Sequence, residues 1–122
     1  MSGADILADT NVLIYAMEEH PAVKGLNLCA PAISVVSEIE LLGKKGIPNK
    51  EATAIRELLS GYPIVPLSED IKEIAILLKQ KYSIKTPDAI IAATAKFLDL
   101  MLVTADKDFS RIEEIDVVLL TL

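Results

Sequence analysis

The chain reads as an α/β sandwich with about five mostly parallel strands, and three observations predict it. Short apolar runs alternate with longer amphipathic segments along its 122 residues. None of the short runs alternates apolar with polar, so each is buried on both faces, as strands are in a parallel sheet covered by helices. Hydrophobic residues make up 52% against 4% aromatics, with no Trp, so the core must rest on Ile, Leu, Val and Ala. The length fits a single domain over residues 1–122. No internal repeat, low-complexity tract or linker is visible.

Each element has a local reason. Residues 6–8 form a first strand, and 10–19 a helix ended by His20-Pro21. A short strand at 32–34 leads into a helix at 35–44, stopped by Gly46 and Pro48. Residues 50–60 form a helix with Ala52, Ile55, Leu58 and Leu59 on one face, closed by Gly61. A strand at 64–67 follows. Ser68-Glu69-Asp70 opens a helix to about 82, with Ile71, Ile74, Ala75 and Leu78 inward. Thr86-Pro87 opens another to about 98, with Thr86 as N-cap and Pro87 at the first helical position. A strand at 101–104, a turn or short helix at 106–112 and a strand at 117–120 complete the chain. Residues 20–28 carry the least readable pattern.

Composition bounds the function. The net charge of −6 argues against binding nucleic acid through the whole surface, while leaving room for a local basic rim. Low aromatic content is poorly suited to stacking on single-stranded bases. The one cysteine, Cys29, cannot form an internal disulfide and suits a reducing compartment; it reads as a small buried apolar residue. No basic segment followed by an apolar stretch opens the chain, and no apolar run approaches the roughly 18 residues that span a bilayer. A cytoplasmic protein without a membrane partner is expected.

Chemistry concentrates in Asp9, Glu40, Asp88 and Asp106. Each interrupts an apolar stretch where a strand gives way to a helix or turn. In parallel sheets ligands gather outside the carboxyl ends of the strands, so acids scattered in sequence can meet there. Two unit charges about 5 Å apart at an effective dielectric near 20 repel by roughly 3 kcal/mol. Such acids need a proton or a cation between them, and a hard divalent cation is the simplest. Plainer readings stand beside this one. Asp9 suits a helix N-cap, and Asp88 suits a helix dipole. The helix after Asp88 is nearly uncharged until Lys96, however, so its mouth lies near the sheet. Glu38 and Glu40 flank an apolar stripe on opposite sides, and periodicity does not choose between them. Asp106 suits a turn, and Asp108 competes with it. His20 reads as a capping or surface residue. Ser34 and Ser37 lack a triad, and no Gly-rich phosphate loop or zinc pattern is present.

The segments Leu7-Ala8-Asp9-Thr10-Asn11-Val12-Leu13-Ile14-Tyr15, Ile33 through Leu42, Pro87-Asp88-Ala89-Ile90-Ile91-Ala92-Ala93-Thr94-Ala95 and Leu102 through Phe109 resemble the motifs of PIN-domain ribonucleases. They are most similar to small VapC-type toxins of prokaryotic toxin–antitoxin pairs. The similarity covers nearly the whole chain, with the stretch at 20–28 unaligned. It implies a three-layer α/β/α sandwich and a metal-dependent endoribonuclease. It selects Glu40 over Glu38 and favours Asp106 over Asp108. It implies Mg²⁺ or Mn²⁺ held by Asp9, Asp88 and Asp106, with Glu40 direct or through water. Thr10, Asn11, Thr104 and Asp108 are then the orienting neighbours.

The resemblance also implies an RNA substrate, a homodimer and an antitoxin partner. Lys44, Lys45, Lys50, Lys85, Lys107 and Arg111 flank the expected site as a basic rim or as a solvated face. Leu26, Leu28 and Ile47 are candidate exposed contacts. Two other classes compete. A non-catalytic PIN-like interaction module has no reason to keep four repelling acids. A receiver or phosphatase-like domain needs a second Asp two residues after Asp9, or an Asp within residues 64–67, and has neither.

Overall fold

The computed structural model describes residues 5–24 and 31–122; Cys29, Leu26 and Leu28 lie outside them. The elements are β1 (Ile6–Ala8), α1 (Thr10–Met17), α2 (Pro21–Lys24), β2 (Ile33–Ser34), α3 (Val35–Leu42), α4 (Asn49–Leu59), β3 (Ile64–Val65), α5 (Glu69–Lys81), α6 (Thr86–Leu98), β4 (Met101–Thr104), a 3-10 turn (Lys107–Arg111) and β5 (Val117–Leu119).

All strand pairs are parallel. β1, β4 and β5 form one sheet in that order, and β2 pairs with β3 in a second. A parallel bridge between Leu7 and Ala32 joins the two. There the Ala32 N–H donates to the Ile6 carbonyl at 2.9 Å, and the Ala8 N–H donates to the Ala32 carbonyl at 3.1 Å. The order across the molecule is therefore β3-β2-β1-β4-β5. The chain leaves β1 in one direction and later returns on its other side. The switch between β1 and β4 is where such sheets open a crevice at their carboxyl ends.

Alternation along each strand divides the core in two. Leu7 and Leu102 pack with Ile71, Ala75 and Leu78 of α5 and with Ile91 and Ala92 of α6. Ala8 and Val103 face the other way, onto Val12 and Leu13 of α1, Leu41 of α3, and Ile55 and Leu59 of α4. The result is the expected three-layer sandwich. α6 buries Ala89 and every residue from 91 to 95, so it is enclosed by protein as its uncharged sequence predicts.

The differences from the sequence reading have physical causes. α1 ends at Met17, because Glu18 and Glu19 turn, with Glu19 at φ 55°. α2 lies inside the unreadable stretch. Pro21 starts it, and the His20 ring Nδ1 accepts the Ala22 N–H at 3.0 Å, a capping contact. α3 stops two residues early, at Leu42. β3 stops at Val65, since Pro66 has no N–H to extend the ladder. Lys85, not Thr86, is the N-cap of α6, and it makes no side-chain cap bond; Thr86 and Pro87 are already helical. Ile47 is half-buried against the second core and is not an exposed contact.

One side-chain cluster fastens the α5–α6 turn to the segment before β5. The Tyr82 hydroxyl donates to Glu114 Oε1 at 2.7 Å and accepts the Glu113 N–H at 3.1 Å. Lys81 donates to Glu114 Oε2 at 3.1 Å. The Tyr82 hydroxyl first, and the Lys81 ammonium beside it, hold the Glu114 carboxyl below its ordinary range. A lowered acid stabilises the fold above its unfolded value and loses that contribution as pH falls through the folded one. Tyr82→Phe is expected to cost about 1 kcal/mol at neutral pH. Thermal melts of the two proteins should converge as the medium becomes strongly acidic; a gap that stays constant with pH would remove Glu114 from the account.

Candidate active site

The strand order delivers the acids to one end of the sheet. Asp9 directly follows β1, and Asp106 lies two residues beyond β4. α3 leaves the carboxyl end of β2 and carries Glu40. α6 feeds β4 at its amino end through two residues, so the helix start, with Asp88 in its first turn, lies at the carboxyl end of the sheet.

Hydrogen bonds fix most of this cluster. Asp9 is 5% exposed. Its Oδ1 accepts the Thr10 N–H at 2.7 Å, and its Oδ2 accepts the Thr104 hydroxyl at 2.8 Å. Asp9 thus caps α1, as the plainer reading held, and keeps lone pairs for a ligand. The Thr104 oxygen in turn accepts the Asp106 N–H at 3.0 Å. Asp106 Oδ1 accepts the Asp108 N–H at 2.9 Å. On the other side, the Thr10 hydroxyl donates to Glu40 Oε1 at 2.7 Å and lies 2.8 Å from the Ser37 hydroxyl. Thr10 has a single hydroxyl proton, so Ser37 must donate to Thr10, which donates to Glu40. Thr10 and Thr104 therefore tie Glu40, Asp9 and Asp106 into one network. Glu38 faces a separate groove with Arg56 and Tyr62.

Asp88 joins this group through charge. Burial first, then the charges of Asp9, Asp106 and Glu40, raise its carboxyl above the ordinary range, and Lys85 opposes them. Asp9 is likewise raised, by burial first and by Asp106 and Glu40 last, against the hydrogen bonds from Thr104 and Thr10. Asp108 lines a small cavity with Ile84, Asp88 and Phe109. Asn11 is exposed, and its side chain bonds to none of the four acids. Sequence reasoning missed Ser37, although its place three residues before Glu40 puts both on one helix face.

The donor set is all oxygen and anionic, and the charges of Asp106 and Glu40 add to burial in raising Asp9 and Asp88. That chemistry fits a hard divalent cation. Among the described residues, no three acidic, histidine or cysteine side chains converge closely enough to enclose an ion by themselves. Mg²⁺ commonly takes one or two carboxylates and keeps several waters, which suits acids spaced in this way.

Thr104 is fully buried and serves Asp9 and Asp106 at once. Thr104→Val keeps its shape and removes both bonds. The expected loss is about 2 kcal/mol of stability, the scale of a hydrogen bond to a charged group. Chemical denaturation measures it; an unchanged midpoint would show that the network does not depend on this hydroxyl.

Comparisons with known proteins agree with this fold. No curated protein sequence matches the chain. Among solved structures, a chain of a toxin–antitoxin complex from Klebsiella pneumoniae is 36% identical, with 93% of this chain and 95% of that one covered at a TM-score of 0.78. A chain of VapBC2 from Rickettsia felis, bound to a DNA fragment from its promoter, is 25% identical over 95% and 98%, at 0.77. A chain of DNA-bound VapBC from Salmonella typhimurium shares the fold at a TM-score of 0.84 with 19% identity, covering 95% and 98%. The PIN domain family model matches residues 6–115. With that span of sequence and this sheet order, the chain belongs to the PIN domain family.

Proposed function

We propose that this protein is a metal-dependent endoribonuclease, the toxin of a toxin–antitoxin pair. The carrying observation is the network that holds Asp9, Glu40 and Asp106 at the β1/β4 switch with Asp88 in their field. The likeness to chains of toxin–antitoxin complexes supports the biological half of the reading.

Asp9, Asp88 and Asp106 would hold Mg²⁺ or Mn²⁺, with Glu40 bound directly or through water. When bound, the ion supplies an activated water, polarises the phosphate and stabilises the leaving oxygen. The chain's own residues set the geometry. Thr104 and the Thr10 N–H fix both oxygens of Asp9. The Ser37–Thr10 relay turns one oxygen of Glu40 and leaves the other open. The Asp108 N–H orients Asp106. Asp88 has no such donor among the described residues; burial first, and then the charges of Asp9, Asp106 and Glu40, raise it.

An antitoxin protein is the second partner in this reading. A cleft of about 510 Å³, lined by Ile14, Met17, Leu41 and Ile55 together with Glu18, Glu40, Lys44 and Glu51, is a candidate seat for a partner segment beside Glu40. A cytoplasmic location belongs to this reading; among the described residues no helix is long and apolar enough to cross a membrane.

Calorimetry with Mn²⁺, comparing wild type with Asp88→Asn, tests the metal site without knowledge of the RNA target. Saturable binding should weaken at least about tenfold, and cleavage should disappear, while the metal-free variant melts higher by roughly 4 °C as about 1 kcal/mol of repulsion is relieved. Full activity in Asp88→Asn would sink the assignment. Absence of both binding and cleavage in wild type would favour the non-catalytic module. A homodimer completes the proposal. Light scattering should return twice the single-chain mass, and a single-chain mass at high concentration would count against it.

A further inference from the structure

The acid cluster leaves a concentration of positive charge unexplained. Lys79, Lys81 and Lys85 stand on the end of α5 and the turn into α6, and Arg111 reaches the same turn from the 3-10 turn. The chain as a whole carries −6, with 12 Lys and Arg in total. Residues 79–85 line an open, polar cleft of about 740 Å³.

These cations are not all free surface side chains. The Lys79 ammonium donates to the Ile84 carbonyl at 3.1 Å, and the Arg111 guanidinium donates to the Ser83 carbonyl at 2.6 Å. Each bond uses one donor of a group that has three or five, so the charge is held in place with donors to spare. Holding them beforehand lowers the ordering cost of binding an anion. Lys81 is paired with Glu114. Lys85 makes no ion pair among the described residues, and it stands three positions before Asp88. The cleft adjoins one of the four acids: Ile84, which lines it, also lines a small cavity with Asp88 and Asp108.

We propose that this cleft binds the phosphodiester backbone of the RNA strand beside the cleaved bond, with Lys79, Lys85 and Arg111 contacting its phosphate oxygens. The inference rests on the ribonuclease reading above and names the substrate's path into that site. A carboxylate cluster repels a polyanion, and a fixed cationic ledge next to it offsets that repulsion where the strand must pass. The cleft reads backbone and not bases. Its one aromatic residue, Tyr82, is half-buried, commits its hydroxyl to Glu114 and has the Lys81 ammonium 5.4 Å from its ring centroid. No open stacking platform is left there, so binding at this ledge is insensitive to sequence and sensitive to salt.

The test is fluorescence anisotropy of a labelled single-stranded RNA oligonucleotide, titrated with the full chain in chelator so that nothing is cleaved. Wild type is compared with Lys79→Gln/Lys85→Gln and with Lys72→Gln/Lys96→Gln, which removes the same charge from exposed positions away from the site. Lys85→Gln alone breaks no contact among the described residues and guards against a folding artefact. The cleft variant should bind roughly fivefold to tenfold more weakly at low salt, and its slope of log affinity against log salt should flatten by about 0.7 per lost contact. The control should match wild type. Equal losses in both double variants would overturn the proposal in favour of general charge. So would RNA binding unchanged in the cleft variant while binding of a poly-glutamate peptide is lost, which would assign the ledge to an acidic protein segment. Cleavage by wild type in Mn²⁺ is read in parallel. Cleavage with no cleft effect overturns this inference alone, and cleft-dependent binding without any cleavage overturns the ribonuclease reading alone.

Discussion

The Thr104 hydroxyl has one proton, and the shape of the acid cluster depends on where that proton goes. It goes to Asp9, across the β1–β4 pair, and the oxygen left behind accepts the Asp106 N–H. A fully buried hydroxyl with both functions used polarises each bond through the other. The parallel register that pairs Ala8 with Val103 sets Asp9 and Thr104 side by side at the strand ends. Sheet geometry and acid geometry are thus one constraint. A slip of one residue would turn both side chains to the wrong face.

The donors around the cluster are backbone N–H groups and hydroxyls, with no lysine or arginine bonded to any of the four acids among the described residues. A salt bridge would neutralise a carboxylate and remove it from further use. A neutral donor orients the same carboxylate and leaves its charge outward. Burial and mutual repulsion then outweigh the hydrogen bonds from Thr104 and Thr10 at Asp9 and the charge of Lys85 at Asp88, so both carboxyls are raised. Raised carboxyls of this kind at the mouth of a sheet mark a candidate functional site.

Much of this was legible from residue order. The buried, uncharged face of α6 and the continuous apolar strands led to the correct layers. The Asp9, Glu40, Asp88 and Asp106 positions emerged as interruptions in those runs. What stayed hidden depends on contacts between distant residues. Periodicity left Glu38 and Glu40 open and the resemblance selected Glu40; the bond that ties Glu40 into the network comes from Thr10, 30 residues away, and no local pattern shows it. Ser37 looked inert because its partner is likewise on another helix. The Thr86 cap assignment failed because two residue types suited to the start of a helix do not say which of them stands first inside it. α2 was invisible because four residues make too short a period to detect. The cationic ledge appeared in part, through Lys85 and Arg111; Lys79 joins it only because a turn folds its ammonium back onto Ile84.

The bridge at Ala32 has a mechanical consequence. Among the described residues it is the one backbone pairing that joins the two sheets, made by a pair of hydrogen bonds. β2 and the helix bearing Glu40 lie on one side of that seam; Asp9 and Asp106 lie on the other. Thr10 is the stitch across it at the level of the acids. The seam therefore runs through the middle of the site, and its two sides are held together less by backbone pairing than by side chains: the Thr10 hydroxyl on Glu40, and Ile33, Leu41, Ile55 and Leu59 packed against Ala8, Val12, Leu13 and Val103.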